Sequence, residues 1–401
     1  MKAIGKILLV LVALELALGG GGRLVDVGWF SPRMLLFCGA LAYAAFILGL
    51  ARSRIPWEFA CLILGFCALL LFHGAVSIVR QMPYEAIFED AKPQLYFPML
   101  AFLAITIRNV RDVATVTKLL KISAVVLSIA YLGVLSLWHS GVFTFDEVQG
   151  ALNPTGDTKK EFYFRSDATF FFKAALYVGV GLFFFLFHGG SIGKLVAVLL
   201  FLALFFTLTR GLMAAVFLSL ATCVLLFHKN RLAGVALAGT NLVLGLFAIL
   251  VINELAPTAG ESVALRLADL RATAEIWDVP TILIGQGLGP SIGARGHIEM
   301  NYIEILYKQG LLGLSFWLLP IAYITLQMSR AMPERRTNAM PYYLAALFVY
   351  FENATNPFLT NPIGMSVVLI AMVAIRVLSS QPLSTRPTSY SFDSAGVRLE
   401  R

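Results

Sequence analysis

From its first residues to Leu378 this chain repeats one pattern: apolar runs about as long as a bilayer is thick, parted by short polar breaks. A helix needs roughly 20 apolar residues to cross the hydrocarbon. About twelve runs near that length lie at 4–19, 34–51, 57–77, 94–107, 117–138, 168–188, 193–209, 211–227, 232–252, 311–328, 340–357 and 361–378, the fourth being the shortest. The pattern predicts an all-α integral membrane protein with about twelve transmembrane helices. Composition agrees, with 59% hydrophobic and 13% charged residues, where soluble domains average about 45–50% and about 25%. No A-x-A-like cleavage site follows the first run, and Arg23 and Arg33 lead straight into the second, so the first reads as a retained span.

The net charge of +8 is a topology signal rather than a nucleic-acid footprint. With Lys2 and Lys6 in the cytoplasm and the runs alternating, the inner loops carry Arg52 and Arg54; Arg108, Arg111 and Lys118; Lys194; Lys229 and Arg231; and Arg330, Arg335 and Arg336. The outer loops then hold Glu85, Glu89, Asp90, Asp146, Glu147, Asp157 and Glu161. The positive-inside rule therefore predicts both termini in the cytoplasm. Gly189 and Gly190 mark a tight turn, and Arg210-Gly211 mark the next, making the seventh and eighth runs a hairpin. Cys38, Cys61, Cys67 and Cys223 all fall inside apolar runs and read as small core residues, with no disulfide framework. The chain divides into a membrane domain, 1–378, and a polar, Ser- and Pro-rich tail, 379–401, expected to be disordered.

Residues 253–310 stand apart as the largest polar stretch, an outer loop lying between two apolar runs, and are expected to form the active site. Val263, Leu267, Leu270, Ala274 and Trp277 recur at helical spacing and predict one apolar helix face. Asp278-Val-Pro280 ends that helix, because proline lacks the amide donor and disfavours helix in the residue before it. Gly285, Gly287 and Gly289 then predict a turn-rich segment, with a further helix beginning near Met300. The glycine spacing does not follow a parallel strand or open a helix, so a nucleotide loop is excluded.

The outer side also collects arginines where orientation rules do not want them: Arg165, Arg210, Arg266, Arg271 and Arg295. A guanidinium at the bilayer boundary is costly unless paired or solvated, and its planar fork of donors matches phosphate oxygens. Plainer readings exist for each. Arg210 is also a snorkelling marker, Arg271 has Glu275 at i+4, Arg266 has Asp269 at i+3, and Arg165 has Asp167 nearby. Lys173 either faces a polar cavity or snorkels outward. His297, Glu299 and Glu304 are the acid–base candidates beside these arginines. Glu304 also has Lys308 at i+4, and Glu299 can complement a helix dipole. No Walker loop or zinc spacing occurs.

Arg210 in TLTRG, SVALR ending at Arg266, PTILIGQGLG, and NYIEILYKQGLLGL from Asn301 onward stand in this order. Together they resemble the bacterial O-antigen polymerase and O-antigen ligase superfamily, over about Arg165 to Leu314. The ligase pattern H-[NSQ]-x9-G-x-x-G aligns its glycines with Gly310 and Gly313. That puts Glu299 and Met300 where His and Asn would stand, with the histidine displaced to His297. The departure favours polymerase over ligase.

The resemblance implies a GT-C-type, metal-independent, inverting glycosyltransferase without cofactor, working at the periplasmic face of the bacterial inner membrane. Its donor would be an undecaprenyl-pyrophosphate-linked glycan, and its acceptor another lipid-linked repeat unit or, for a ligase, lipid A–core. A chain-length regulator would be a further partner. In this frame Arg210 and Arg266 bind the leaving pyrophosphate. Glu299 or His297 takes the acceptor proton, and Arg165, Arg271, Arg295, Asn301 and Glu304 line the substrate site. The reading from another class is a twelve-span transporter or flippase. Against it, the charges cluster in an outer loop and at run ends rather than near the midplane.

Overall fold

The computed structural model describes residues 2–19, 32–50, 54–153, 162–165, 169–256, 259–291 and 298–380. Among these the chain is almost wholly helical. Its helices are α1 (Lys2–Gly19), α2 (Pro32–Gly49), α3 (Trp57–Val79), α4 (Tyr84–Gln94), α5 (Met99–Thr106), α6 (Val110–His139) and α7 (Phe145–Leu152). A hairpin of β1 (Phe162–Arg165) and β2 (Thr169–Phe172) follows, then α8 (Ala175–His188), α9 (Gly190–Phe206), α10 (Arg210–Phe227) and α11 (Arg231–Leu255). The chain continues through α12 (Ala259–Ile276), α13 (Val279–Ile284), α14 (Asn301–Arg330), α15 (Pro333–Glu352) and α16 (Pro362–Ser380).

Seven of these, α2, α3, α6, α10, α11, α14 and α16, have the length and apolarity to cross a membrane. Burial grades from centre to rim. α16 is buried along nearly its whole length from Ile363 to Ile375, and so is the second half of α15. α8 packs on α15, α6 and α9, while α10 joins α15 to α11. At the rim, Leu64 and Leu71 of α3 and Leu244, Leu246 and Phe247 of α11 face outward. A soluble fold would not leave such apolar surface open; in a bilayer it meets lipid.

Contacts sort the helix ends into two sets. At one end Lys6 of α1 pairs with Asp112 of α6 (3.1 Å), Arg376 of α16 pairs with Glu58 of α3, and Arg335 of α15 donates to the Ser379 carbonyl (2.7 Å). At the other end Ser77 of α3 and Asp90 of α4 accept from the amides of Leu288 and Gly289, and Arg210 donates to Asn253 of α11. The chain between Asp90 and Asp112 therefore passes from one end of the bundle to the other.

Four expectations are corrected. The fourth run, 94–107, does not form a span-length helix. The turn at 95–98 interrupts it, and the helical part, α5, has eight residues, about 12 Å against the roughly 30 Å of a bilayer core. The sixth run does not begin as helix. Thr169–Phe172, a β-branched residue and three aromatics, pair antiparallel with Phe162–Arg165, with Arg165 opposite Thr169. Of the cysteines only Cys223 is buried; Cys38, Cys61 and Cys67 lie on outward helix faces. The apolar face expected on α12 is not the packed one, since Leu267 is exposed while Thr273 is buried. The tail from 381 onward, where disorder is expected, lies outside the described residues.

Candidate active site

The loop between α11 and α14 is punctuated as its residues dictate. α12 stops at Ile276. Asp278 then caps the next helix, its Oδ1 accepting from the Thr281 amide at 2.8 Å, and proline occupies the first turn of α13. Proline is at home there because the first-turn amides have no helical partner. The hydrogen bonds from Thr281 also hold the Asp278 carboxyl below the usual carboxylate range.

The glycine segment folds over the start of α14. Gly285, Gly287 and Gly289 have φ of +75°, +89° and +100°. The amides of Gln286 and Gly287 donate to the carbonyls of Tyr307 (2.8 Å) and Lys308 (2.9 Å). At the same place Gly310 (φ +63°) breaks α14 into two helical parts. Leu288 N donates to Ser77 Oγ at 2.5 Å, and Gly289 N to Asp90 Oδ2 at 2.7 Å. Lys308 Nζ lies 2.8 Å from both Asp90 Oδ1 and Glu304 Oε1, all three side chains being buried. The Glu304–Lys308 pair anticipated from spacing is thus one arm of a buried triad. Its other arm, Asp90, comes from a helix more than 200 residues earlier in the chain.

Beside this support three arginines converge from separate elements. Arg266 of α12 meets Glu299, with Nε 3.2 Å from Oε2, and both side chains are part-exposed. Asp269, its local candidate partner, is not the one it takes. Arg210, the first residue of α10, donates to Asn253 Oδ1 at 3.2 Å. Arg165, closing β1, donates from Nη1 to the carbonyl of Leu208 at 2.8 Å. Thr169, its partner across the hairpin, donates to the Phe206 carbonyl at 2.6 Å, so the hairpin is fastened to the turn that precedes Arg210. Leu208 in that turn has φ +48°. Burial, and then the charges of Arg210 and Arg266, push the Arg165 guanidinium below its ordinary range, while Tyr131 and Glu352 act the other way. The three guanidiniums are therefore within electrostatic reach of one another.

The remaining predicted residues are placed unevenly. Arg271 is exposed on α12, and its i+4 ion pair with Glu275 is not formed. Asn301 is buried, its amide donating to Asn353 Oδ1 (2.6 Å) and its carbonyl oxygen accepting from Thr360 (3.2 Å). Lys173 follows β2 with its ammonium 5.9 Å from the centre of the Tyr163 ring. Arg295 and His297 lie outside the described residues. Among the described residues no group of three or more His, Cys, Asp or Glu is assembled that could hold a metal ion.

Sequence reasoning overlooked Asp90 and Glu352. Glu352 ends α15 fully buried, its Oε1 accepting from Asn356 Nδ2 at 2.5 Å. The usable signal was a carboxylate closing an apolar run, since ionisable groups at such positions mark function more often than packing.

No protein-family model matches the chain. It is 29% identical over 375 residues to the O-antigen polymerase of Shigella flexneri, which covers 92% of this chain and 94% of that protein. The chain is similar to O-antigen polymerases along nearly its whole length. The likeness is thus not confined to the motifs between Arg165 and Leu314. The polymerase-like chain brings those motifs to one end of its bundle: TLTRG supplies Arg210, SVALR supplies Arg266, and the glycine turn packs against the helix that opens with Asn301.

Proposed function

We propose that this protein is a membrane glycosyltransferase that polymerises O-antigen or exopolysaccharide repeat units at the periplasmic face of the bacterial inner membrane. The observation that carries the reading is the convergence of Arg165, Arg210 and Arg266 beside Glu299 at one end of an apolar bundle. The donor is an undecaprenyl-pyrophosphate-linked glycan, and the acceptor a second lipid-linked repeat unit. Twelve passes in a GT-C-type arrangement are part of this proposal, and the grouping of helix ends bears on their orientation. It puts Lys6, Arg376 and Arg335 at the end opposite the arginine cluster, which the positive-inside rule assigns to the cytoplasm with both termini.

In this mechanism Arg210 and Arg266 hold the pyrophosphate oxygens and stabilise the charge that develops as the glycosidic C1–O bond breaks. Such preorganised stabilisation is often the largest catalytic contribution. The acceptor hydroxyl attacks C1 from the opposite face, inverting the configuration without a metal. Its proton passes to a base, and undecaprenyl pyrophosphate leaves carrying the bonding pair. Glu299 is the base we assign, because its carboxylate is part-exposed and already beside Arg266; His297 is the neighbouring alternative. Arg165 braces the turn before Arg210. Arg271 extends the basic surface towards the glycan, Arg295 is assigned to substrate binding from its charge alone, and Asn301 and Glu304 shape the wall behind it. A chain-length regulator is the protein partner this activity calls for.

The test is the polysaccharide profile of a chromosomal deletion complemented with wild type, Arg210→Ala, Arg266→Ala and Glu299→Gln. Loss of long chains with a single repeat unit still attached is the expected result. Accumulation of unattached lipid-linked polymer would instead mean a ligase, and an unchanged deletion profile would point to transport. Full polymer from both arginine variants at wild-type protein level would overturn the pyrophosphate assignment.

A further inference from the structure

We propose that α12 and α13 lie on the bilayer surface at the arginine end of the bundle, with the side that carries Leu267, Ala274, Val279 and Leu283 set into the lipid. The partner is the lipid itself, and this docking holds whichever reaction the site performs. The two helices are built inside out for elements surrounded by water. On α12 Thr273 is fully buried while Leu267 is 48% exposed, and on α13 Thr281 is buried while Val279 and Leu283 are 70% and 51% exposed. A helix in water buries its apolar stripe and exposes its polar one.

The stripe on α12 is real, with Leu267, Leu270 and Ala274 at i, i+3 and i+7. The protein holds the helix by a neighbouring side, where Arg266 meets Glu299 and Thr273 is enclosed. Arg271 and Glu275 form a third side, and both are exposed. α12 thus offers one side to the protein, one apolar and open, and one charged.

Depth decides what covers the apolar side. α13 abuts Gly310 of α14, where an added Cβ would stand 2.5 Å from the backbone C and O of Leu283. From there residues 311–330 run to the opposite end of the bundle over about 30 Å, the thickness of a bilayer core. α3 gives the same level independently. It has 23 residues, about 34 Å, and Ser77 near its end accepts from the amide of Leu288. α13 therefore sits where the hydrocarbon ends. Leu311 and Leu312, just past Gly310 on a helix of span length, are exposed, so the open side of α13 continues a lipid-facing surface.

Backbone chemistry permits this placement. Lipid accepts a chain only where its polar backbone groups are paired internally. Both helices pair their own, and at their junction Asp278 Oδ1 takes the Thr281 amide. An interfacial helix buries its apolar side about 5–10 Å into the headgroup boundary. Arg266, on the protein side of the same helix, is thereby carried at the depth of lipid phosphates, with Glu299 beside it.

The test places one bimane-labelled cysteine at a time in the full-length protein, with Cys38, Cys61, Cys67 and Cys223 replaced by alanine, in nanodiscs of phosphatidylcholine and phosphatidylglycerol. The sites are Leu267→Cys, Val279→Cys and Leu283→Cys, with Leu311→Cys as the lipid-facing control and Glu275→Cys as the aqueous one. The quenchers are nitroxide-labelled phosphatidylcholine in the bilayer and iodide in the buffer. The three test sites should lose emission to the nitroxide lipid as Leu311→Cys does and resist iodide, while Glu275→Cys does the reverse. Quenching by iodide without quenching by the nitroxide would place them in water and overturn the proposal. Protection from both quenchers also overturns it, because protein would then be the cover. All three residues are on the surface, so if one variant does not accumulate the other two decide. The wild-type protein gives a check that needs no substitution: a diazirine-bearing phosphatidylcholine, photolysed in the same nanodiscs, should label residues 264–284 as well as Leu311 and Leu312. Label confined to the spans would sink the idea.

Discussion

Arg266 and Glu299, 33 residues apart in the chain, meet with 3.2 Å between Nε and Oε2. The contact ties α12 to the segment entering α14 and places the assigned base beside the assigned phosphate ligand. Its worth to folding is small, because the two side chains are 27% and 39% exposed and such pairs contribute about 0–1 kcal/mol.

That inequality gives the first prediction. Glu299→Gln should change thermal stability by no more than about 1 kcal/mol, yet slow polymer formation by roughly 10²–10⁴-fold, the range for loss of a general base. Thermal unfolding of the purified protein and the rate of chain extension from lipid-linked repeat units check the two halves. A variant that loses both in proportion would make Glu299 a structural residue.

The buried triad should behave in the opposite way. Lys308→Met leaves Asp90 and Glu304 facing one another without their shared cation. Removing one partner from a buried ionic group costs about 3–5 kcal/mol. The loss should therefore appear as lowered thermal stability and reduced protein in the membrane, not as a selective loss of catalysis. Adding Asp90→Asn and Glu304→Gln to Lys308→Met removes the stranded charges and should recover a large part of the stability. A triple variant no better than the single would sink the electrostatic account.

The glycine turn yields a comparison of two alanines. At Gly287, φ is +89° and a Cβ would come within 2.6 Å of Ser77 Oγ and 2.9 Å of Ser77 N. Gly287→Ala combines a left-handed alanine, disfavoured by about 1–2 kcal/mol, with a collision against α3 backbone. Gly239 of α11 has open space around it, and Ala there should stabilise by up to about 1 kcal/mol. Melting temperatures in detergent should move in opposite directions, and equal shifts would show that the turn does not constrain the fold.

These cases show which parts were readable from the chain. The apolar runs announced the class because lipid demands them. Asp278 and Pro280 marked the boundary between α12 and α13 through local backbone chemistry, as the three glycines marked the turn. Phe170, Phe171 and Phe172 misled because an apolar run looks alike at the start of a span and in a hairpin, and the pairing with Phe162–Arg165 is decided in three dimensions. Leu267 was assigned inward by periodicity, but a loop helix on a membrane protein has apolar surroundings besides the core. Arg210 and Arg266 stood out as charges out of place, and Glu299 as an acid beside them. Asp90 did not, because nothing local couples it to Lys308, 218 residues away.

The last prediction concerns the glycine of the T-R-G motif. Gly211 lies in the first turn of α10, where alanine for glycine inside a helix ordinarily stabilises by about 0.5–1 kcal/mol. Here the new methyl would be driven into Thr355 Oγ1 and would stand 3.1 Å from both oxygens of Glu352. Gly211→Ala should therefore separate α10 from the end of α15 and shift Arg210 away from its neighbours. Polymer formation should drop by about 10²-fold, as a misplacement near 1 Å produces, without the stability gain that helix propensity alone predicts. Pairing it with Thr355→Ser removes one methyl but not the hydroxyl that blocks the site, so it should not rescue; pairing with Thr355→Gly removes the obstruction and should restore part of the polymer. A Gly211→Ala protein with wild-type polymer and raised stability would show that the motif's glycine is there for some reason other than the approach of Glu352.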